Sequence, residues 1–178
     1  GLKNTTTANI LHKVLKASFS ASDKTYDRNT MAIVTNSLSG VILEDTVSLA
    51  EIIAKFSDKN ATNNKTVTVT SKITGSDSSN YILNNSTEYI LASITKKPLT
   101  ASFSALNKIF DGTEKVKVEG SSSDIIAGDD VKFEFEEAKF IDDTIGTEKK
   151  VRISGIYLSG SDANNYSLLN TTAITSAT

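Results

Sequence analysis

Ala17-Ser18-Phe19-Ser20-Ala21 recurs unchanged as Ala101-Ser102-Phe103-Ser104-Ala105, an offset of 84 from position 17 to position 101. Working outward from this pentapeptide, the same offset of 84 carries Lys24-Thr25-Tyr26-Asp27 onto Lys108-Ile109-Phe110-Asp111. It also carries Asp45, Val47 and Leu49 onto Asp129, Val131 and Phe133, and Ala54-Lys55-Phe56 onto Ala138-Lys139-Phe140. Val67 and Val69 fall on Val151 and Ile153. One residue is then inserted and the offset becomes 85. Gly75-Ser76-Asp77, Asn80-Tyr81 and Leu83 now match Gly160-Ser161-Asp162, Asn165-Tyr166 and Leu168. Self-similarity at a fixed spacing marks repeated structural units. Upstream, Ile10, Lys13 and Leu15 match Ile94, Lys97 and Leu99. We therefore expect a leader, or the end strand of an upstream repeat, over residues 1–14. A first repeat over 15–97 and a second over 98–178 follow, in a chain that reads as a piece of a longer array.

Within each repeat the apolar residues alternate with polar ones, the period of a half-buried strand. Val131-Lys132-Phe133-Glu134-Phe135 and the matched pair Val67-Thr68-Val69-Thr70 and Val151-Arg152-Ile153-Ser154 are the clearest cases. Turn-forming segments such as Ala127-Gly128-Asp129-Asp130 separate them. Short strands at this spacing point to an all-β fold of two tandem immunoglobulin-like β-sandwich repeats in an elongated arrangement. The segment Val47 to Phe56 conflicts, because read alone it is an amphipathic helix. Its partner Val131 to Phe140 alternates like a strand and breaks register at Glu136-Glu137. We read both as strands with a bulge or turn. The alternative is a β-grasp-like repeat with one short helix near 48–55. Lys96-Lys97-Pro98-Leu99 joins the repeats without glycine; proline fixes φ and biases Lys97 toward extended geometry.

Composition excludes several functions. There are 19 basic and 21 acidic residues, so no net field attracts nucleic acid or an anionic membrane. No apolar run is long enough to span a bilayer as a helix. Cysteine is absent, which removes disulfides and thiolate ligands or nucleophiles. The single histidine, His12, has Lys96 at its matching position and reads as a surface residue. No serine sits in a Gly-x-Ser-x-Gly elbow, no glycines form a phosphate loop, and no set has zinc spacing. Asp129-Asp130 and Asp142-Asp143 bear the oxygens calcium prefers. Neither pair continues into a calcium-binding loop, and the first repeat keeps only Asp45 and Asp58 at those places, so turn capping is the reading. No catalytic, cofactor-binding or metal-binding residue and no cofactor is expected, and the chain is read as no enzyme. An isopeptide cross-link between lysine and asparagine or aspartate stays open, since no specific triplet stands out.

The second repeat contains Lys108-Ile109-Phe110-Asp111-Gly112, Gly128-Asp129-Asp130-Val131, Phe140-Ile141-Asp142 and Gly146-Thr147-Glu148-Lys149-Lys150-Val151. It closes with Leu158-Ser159-Gly160-Ser161-Asp162-Ala163-Asn164-Asn165-Tyr166. These motifs resemble the YDG-type repeat of bacterial surface proteins, found in tandem in filamentous-haemagglutinin-like and other large adhesins. The first repeat departs from the pattern: Arg28 replaces the motif glycine and Leu43-Glu44-Asp45-Thr46 replaces the Gly-Asp-Asp turn. Phe110 replaces the motif tyrosine that Tyr26 keeps. The resemblance implies an extracellular protein, on a bacterial surface or secreted, acting as a stalk or adhesive array. The structural motif residues are then Tyr26, Asp27, Asp77, Asn80, Tyr81, Phe110, Asp111, Gly112, Asp162, Asn165 and Tyr166. Gly75 to Tyr81 and Gly160 to Tyr166 also suggest a sugar site, but asparagine and aspartate bond local backbone in turns, and a tyrosine can anchor a loop through its hydroxyl. The expected partners are neighbouring repeats of the same chain. A host glycan or protein bound by the repeats themselves is the alternative, with neither nucleic acid nor membrane insertion.

Overall fold

The structure, a computed structural model, describes residue 1 and residues 3–178. The fold is all-β, and among the described residues helix is confined to two single 3₁₀ turns, Ser78–Asn80 and Ala163–Asn165. Among the described residues no helix is long and apolar enough to cross a membrane.

The first half contains β1 (Lys13–Ala21), β2 (Lys24–Thr25), β3 (Val34–Ser39), β4 (Ser48–Phe56), β5 (Thr62–Thr74), β6 (Tyr81–Leu83) and β7 (Thr87–Thr95). One sheet has the order β3-β1-β6 and the other β2-β7-β5-β4. The β1–β6 pair is parallel and β1–β3 antiparallel. Residues 3–12 form no strand and are exposed.

The second half contains β8 (Lys97–Leu99), β9 (Ser102–Ala105), β10 (Val118–Ser121), β11 (Lys132–Glu134), β12 (Glu137–Phe140), β13 (Lys149–Ser154), β14 (Tyr157–Ser159), β15 (Tyr166–Leu168) and β16 (Thr172–Ala177). The pairings repeat those of the first half. The β15–β8 pair is parallel like β6–β1, β10–β9 matches β3–β1, and β12-β13-β16 matches β4-β5-β7. Three strands that run continuously in the first half, β1, β4 and β5, are each split in two here.

The helix considered near 48–55 is overturned, because this segment is strand β4, paired antiparallel with β5. Its register shifts between Ala50, opposite Lys72, and Ile53, opposite Thr70. Glu51 and Ile52 thus face Ser71 alone, a β-bulge, with Glu51 at φ +48°. The extra residue displaces the alternation by one, and that displacement gave the segment its helix-like spacing. In the second half, Glu134 pairs with Tyr157 and Glu137 with Ser154, so Phe135 and Glu136 face Gly155 and Ile156. The Ser71 N–H donates to Ser86 O and the Ile156 N–H donates to Thr171 O, each at 3.0 Å. Ile156 therefore stands where Ser71 does, and Gly155 is the inserted residue. It adopts φ +66°, and a Cβ there would collide with the Glu136 side chain.

The chain divides into two compact units that do not follow a single cut in the sequence. Unit 1 comprises Gly1–Lys24, Thr30–Asp58 and Asn63–Ser93. Its core includes Leu15, Ala17, Phe56, Val67, Val69, Tyr81 and Ala92. Unit 2 comprises Thr25–Asn29, Lys59–Thr62 and Ile94–Thr178. Ala101, Ala138, Phe140, Val151, Ile153, Ile156 and Ala177 form a buried cluster there. Phe103 packs against it, edge-on to Phe133 at 6.1 Å and to Phe135 at 6.0 Å. Such pairs add about 0.5–1.5 kcal/mol beyond their area burial. A Cβ on Gly120 would lie 2.6 Å from Phe133 Cβ, so only glycine lets β10 pass this aromatic group.

Candidate functional site

The recurring motif residues form the same turn clamp twice. In unit 1, the Tyr81 hydroxyl donates to Asp45 Oδ2 at 2.5 Å and accepts the Ile42 N–H at 3.1 Å. Asp77 Oδ2 accepts the Thr46 N–H at 2.8 Å, and the Asp77 N–H donates to Thr46 O at 3.3 Å. In unit 2, the Tyr166 hydroxyl donates to Asp129 Oδ2 at 2.7 Å and accepts the Ile126 N–H at 2.9 Å. Asp162 Oδ2 accepts the Asp130 N–H at 3.0 Å, and the Asp162 N–H donates to Asp130 O at 3.1 Å. One loop thus satisfies the backbone of another some 30 to 40 residues away. Gly75 (φ +126°) and Gly160 (φ +107°) bring the two backbones together, and a Cβ on either would strike the carbonyl of Thr46 or Asp130.

A second fastening recurs beside each clamp. Asn85 Oδ1 accepts the Ala17 N–H at 3.0 Å and its Nδ2 donates to Ala17 O at 2.9 Å. Asn170 does the same to Ala101, at 2.8 and 2.9 Å. Each side-chain amide stands in for a strand neighbour. Neither asparagine was among the expected motif residues, although their common offset of 85 was a legible signal.

In unit 2 the clamp is surrounded by further groups. Tyr26 is 2 % exposed and meets the Tyr166 ring edge-on at 5.6 Å. The Arg28 guanidinium donates to Ala127 O at 2.5 Å and Gly128 O at 2.9 Å, and its Nε lies 3.0 Å from Asp129 Oδ1. Lys59 Nζ pairs with Asp162 at 3.1 Å. Asn165, which is buried, accepts the Ala61 N–H at 2.8 Å and donates to Asn60 Oδ1 at 3.3 Å. Burial, followed by the neighbouring Asp129 carboxylate, pushes the Tyr166 and Tyr26 hydroxyls up to about 12. Tyr81 shifts the same way, chiefly through burial and then Asp45. Backbone donation from Asp130 and then Lys59 hold Asp162 below the usual carboxylate range.

The structure thus brings Tyr26, Asp162, Asn165 and Tyr166 together, and places Asp77, Asn80 and Tyr81 on one turn of unit 1. Asp27 accepts the Asn29 N–H at 3.0 Å, a local turn. Phe110, Asp111 and Gly112 lie elsewhere. Lys108 Nζ donates to Asp111 Oδ1 at 2.8 Å and to Lys115 O at 2.8 Å, and sits 5.8 Å from the Phe140 ring centre. Hydrogen bonds from Lys108, then Thr113, lower Asp111 to about 2. Lys149 makes a parallel set of bonds to Asp142 and Thr144. Between these two lysines opens a cleft of about 340 Å³ that includes Ile109, Phe110, Phe140 and Ile145. Gly112 has φ +74° and open space around it.

These groups fasten backbone. Among the described residues no three or more His, Cys, Asp or Glu are placed to hold a metal ion. Of the two aspartate pairs considered for calcium, Asp129 receives Tyr166 and Arg28, Asp130 receives the Ser161 N–H at 2.9 Å, and Asp142 receives Thr144 and Lys149.

No curated protein and no solved structure matches the chain. The model of the YDG domain matches it twice, over residues 12–89 and 95–174, and these spans contain both turn clamps. The chain belongs to the YDG domain family.

Proposed function

We propose that these repeats are structural stalk modules of a bacterial cell-surface adhesin, each an immunoglobulin-like sandwich in an elongated array that projects a distal adhesive region. On this reading the chain works outside the cell, on the surface or after secretion, and is no enzyme. One observation carries it: three recurring pairs of residues spend their side chains on fastening the chain's own loops. Tyr81 and Tyr166, Asp77 and Asp162, and Asn85 and Asn170 all make the same internal bonds in both copies. A site for ligand would leave recurring polar groups facing solvent; a scaffold would repeat its fastenings. The test compares glycan-array and cell binding of this chain with that of the full-length protein. Binding by the full-length protein and none by this chain is expected, and equal binding by both would overturn the stalk reading.

A second reading makes the repeats themselves an adhesive module for a host glycan or protein. It is favoured by the cleft beside Ile109, Phe110 and Ile145. Phe110 is 60 % exposed, whereas Tyr26 at the matching position is buried, so the apolar patch occurs in one repeat only. Phe110→Ser with Ile145→Ser separates the two readings, since only a direct binder would lose cell attachment.

A further inference from the structure

The two clamps share residue types and internal geometry but not surroundings. Asp129, Asp162, Asn165 and Tyr166 in unit 2 correspond to Asp45, Asp77, Asn80 and Tyr81 in unit 1. The hydroxyl-to-carboxylate bonds, the tyrosine contacts to Ile42 and Ile126, and the aspartate caps agree within a few tenths of an ångström. The turn backbone agrees too: Glu44 has φ +77° where Gly128 has φ +90°. In unit 2 this surface receives a defined set of groups. An aromatic ring covers the tyrosine, an arginine joins two turn carbonyls to the first aspartate, and a lysine pairs with the second aspartate. A backbone N–H caps the asparagine.

In unit 1 none of these partners is present among the described residues. Asn80 is exposed and its side chain makes no hydrogen bond there, whereas Asn165 is 3 % exposed. Among the described residues no cation pairs with Asp45 or Asp77, and Ile42 and Leu43 at the rim stand in solvent.

We propose that the Asp45–Asp77–Asn80–Tyr81 turn is a docking surface for another YDG repeat, one bearing an aromatic-x-Arg turn and a Lys-Asn-Ala loop. The proposal rests on the array reading and gives it a chemical rule for which repeat follows which. The acidic turn takes a repeat whose loops are basic, as Arg28 and Lys59 are. The second repeat carries Gly112 and Asp143 at those positions. Its loops therefore set an acid against the acidic turn, so a repeat of that kind is selected against at this surface.

The test uses a lengthened chain with residues 13–95 duplicated ahead of Lys13, followed by amide hydrogen exchange. The added repeat's alanine matching Ala61 is expected to exchange roughly tenfold more slowly than in the same chain carrying Asn80→Ala in the original first repeat. Replacing the added repeat's arginine and lysine, at the places of Arg28 and Lys59, with serine should abolish the protection. Ala61 itself, bonded to Asn165, reports in the same sample that the fold is intact. Equal exchange with and without Asn80→Ala, while Ala61 stays protected, overturns the proposal. Protection of Asn80 by added calcium or glycan, but not by the added repeat, also overturns it. The stalk reading is judged by cell binding, so either can fail while the other stands.

Discussion

The first repeat runs its strands through where the second breaks them. β4 and β5 are continuous strands joined by a bulge at Glu51 and Ile52, whereas the second repeat divides the same path into β11, β12, β13 and β14. One inserted glycine separates the two solutions. In the first repeat two residues oppose the single Ser71, and in the second Gly155 restores two against two. The second arrangement turns Ile156 into the core, where the first buries a serine. Both repeats nevertheless keep the tyrosine clamp, so the turn tolerates a change in sheet continuity that the strands do not. The lesson is that the conserved part of the repeat is the fastening between loops, and the sheet adapts around it.

The largest test of that lesson is Gly160→Ala. The added Cβ meets the Asp130 carbonyl at a left-handed φ, so a loss of about 3 kcal/mol is expected in thermal or urea unfolding. A loss below about 1 kcal/mol would mean that the loops separate easily and the clamp is incidental.

Tyr166→Phe sharpens the comparison between the copies. It leaves the Ile126 N–H and the fully buried Asp129 carboxylate short of one partner, for about 2 kcal/mol. Tyr81→Phe should cost roughly half as much, because Ile42 beside that clamp is exposed where Ile126 is half-buried, so water can replace the lost hydroxyl. Equal losses in the two variants would remove the distinction between the covered and the exposed clamp.

Alkaline titration reads the same difference without mutation. Tyr26 and Tyr166 ionise near 12 in the folded chain and near 10 when unfolded. Their raised values contribute stability that is fully present below pH 10 and is lost as pH rises from 10 through 12, at about 1.4 kcal/mol per tyrosine for each pH unit crossed. Phenolate absorbance should therefore show Tyr26 and Tyr166 titrating near pH 12, together with loss of the β-sheet circular-dichroism signal. Ionisation of Tyr26 and Tyr166 near pH 10, with the fold intact, would contradict the buried clamp.

The smallest expected effect has the opposite sign. Ser71 is buried and its hydroxyl has no hydrogen-bond partner among the described residues. Ser71→Ala should raise stability by about 1 kcal/mol by removing that uncompensated group, and a decrease would show that the bulge depends on the hydroxyl.

Much of this was legible before any coordinates. The offset of 84, the strand alternation and the turn roles of Asp77, Tyr81, Asp162 and Tyr166 follow from residues close in sequence, where period and turn chemistry act locally. The insertion was legible as a change of offset, but its position was not: any residue from 154 to 159 satisfies the alignment, and only the bond from Ile156 to Thr171 identifies Gly155 as the extra one. The bulge at Glu51 disguised a strand as a helix because one displaced residue turns a period of two into something near 3.6.

By itself the sequence determined that this protein is an all-β duplication whose turns are held by aspartate, asparagine and tyrosine, since those preferences act within a few residues. Only the tertiary structure decided which backbone each of them holds. Asp45, Asp129, Asn85 and Asn170 find partners 36 to 69 residues away. Tyr26, Arg28 and Lys59 complete the compact unit of the second repeat rather than that of the first. Nothing in a local pattern encodes those distances, because they are set by how the sheets pack and which loops that packing brings within reach of a hydrogen bond.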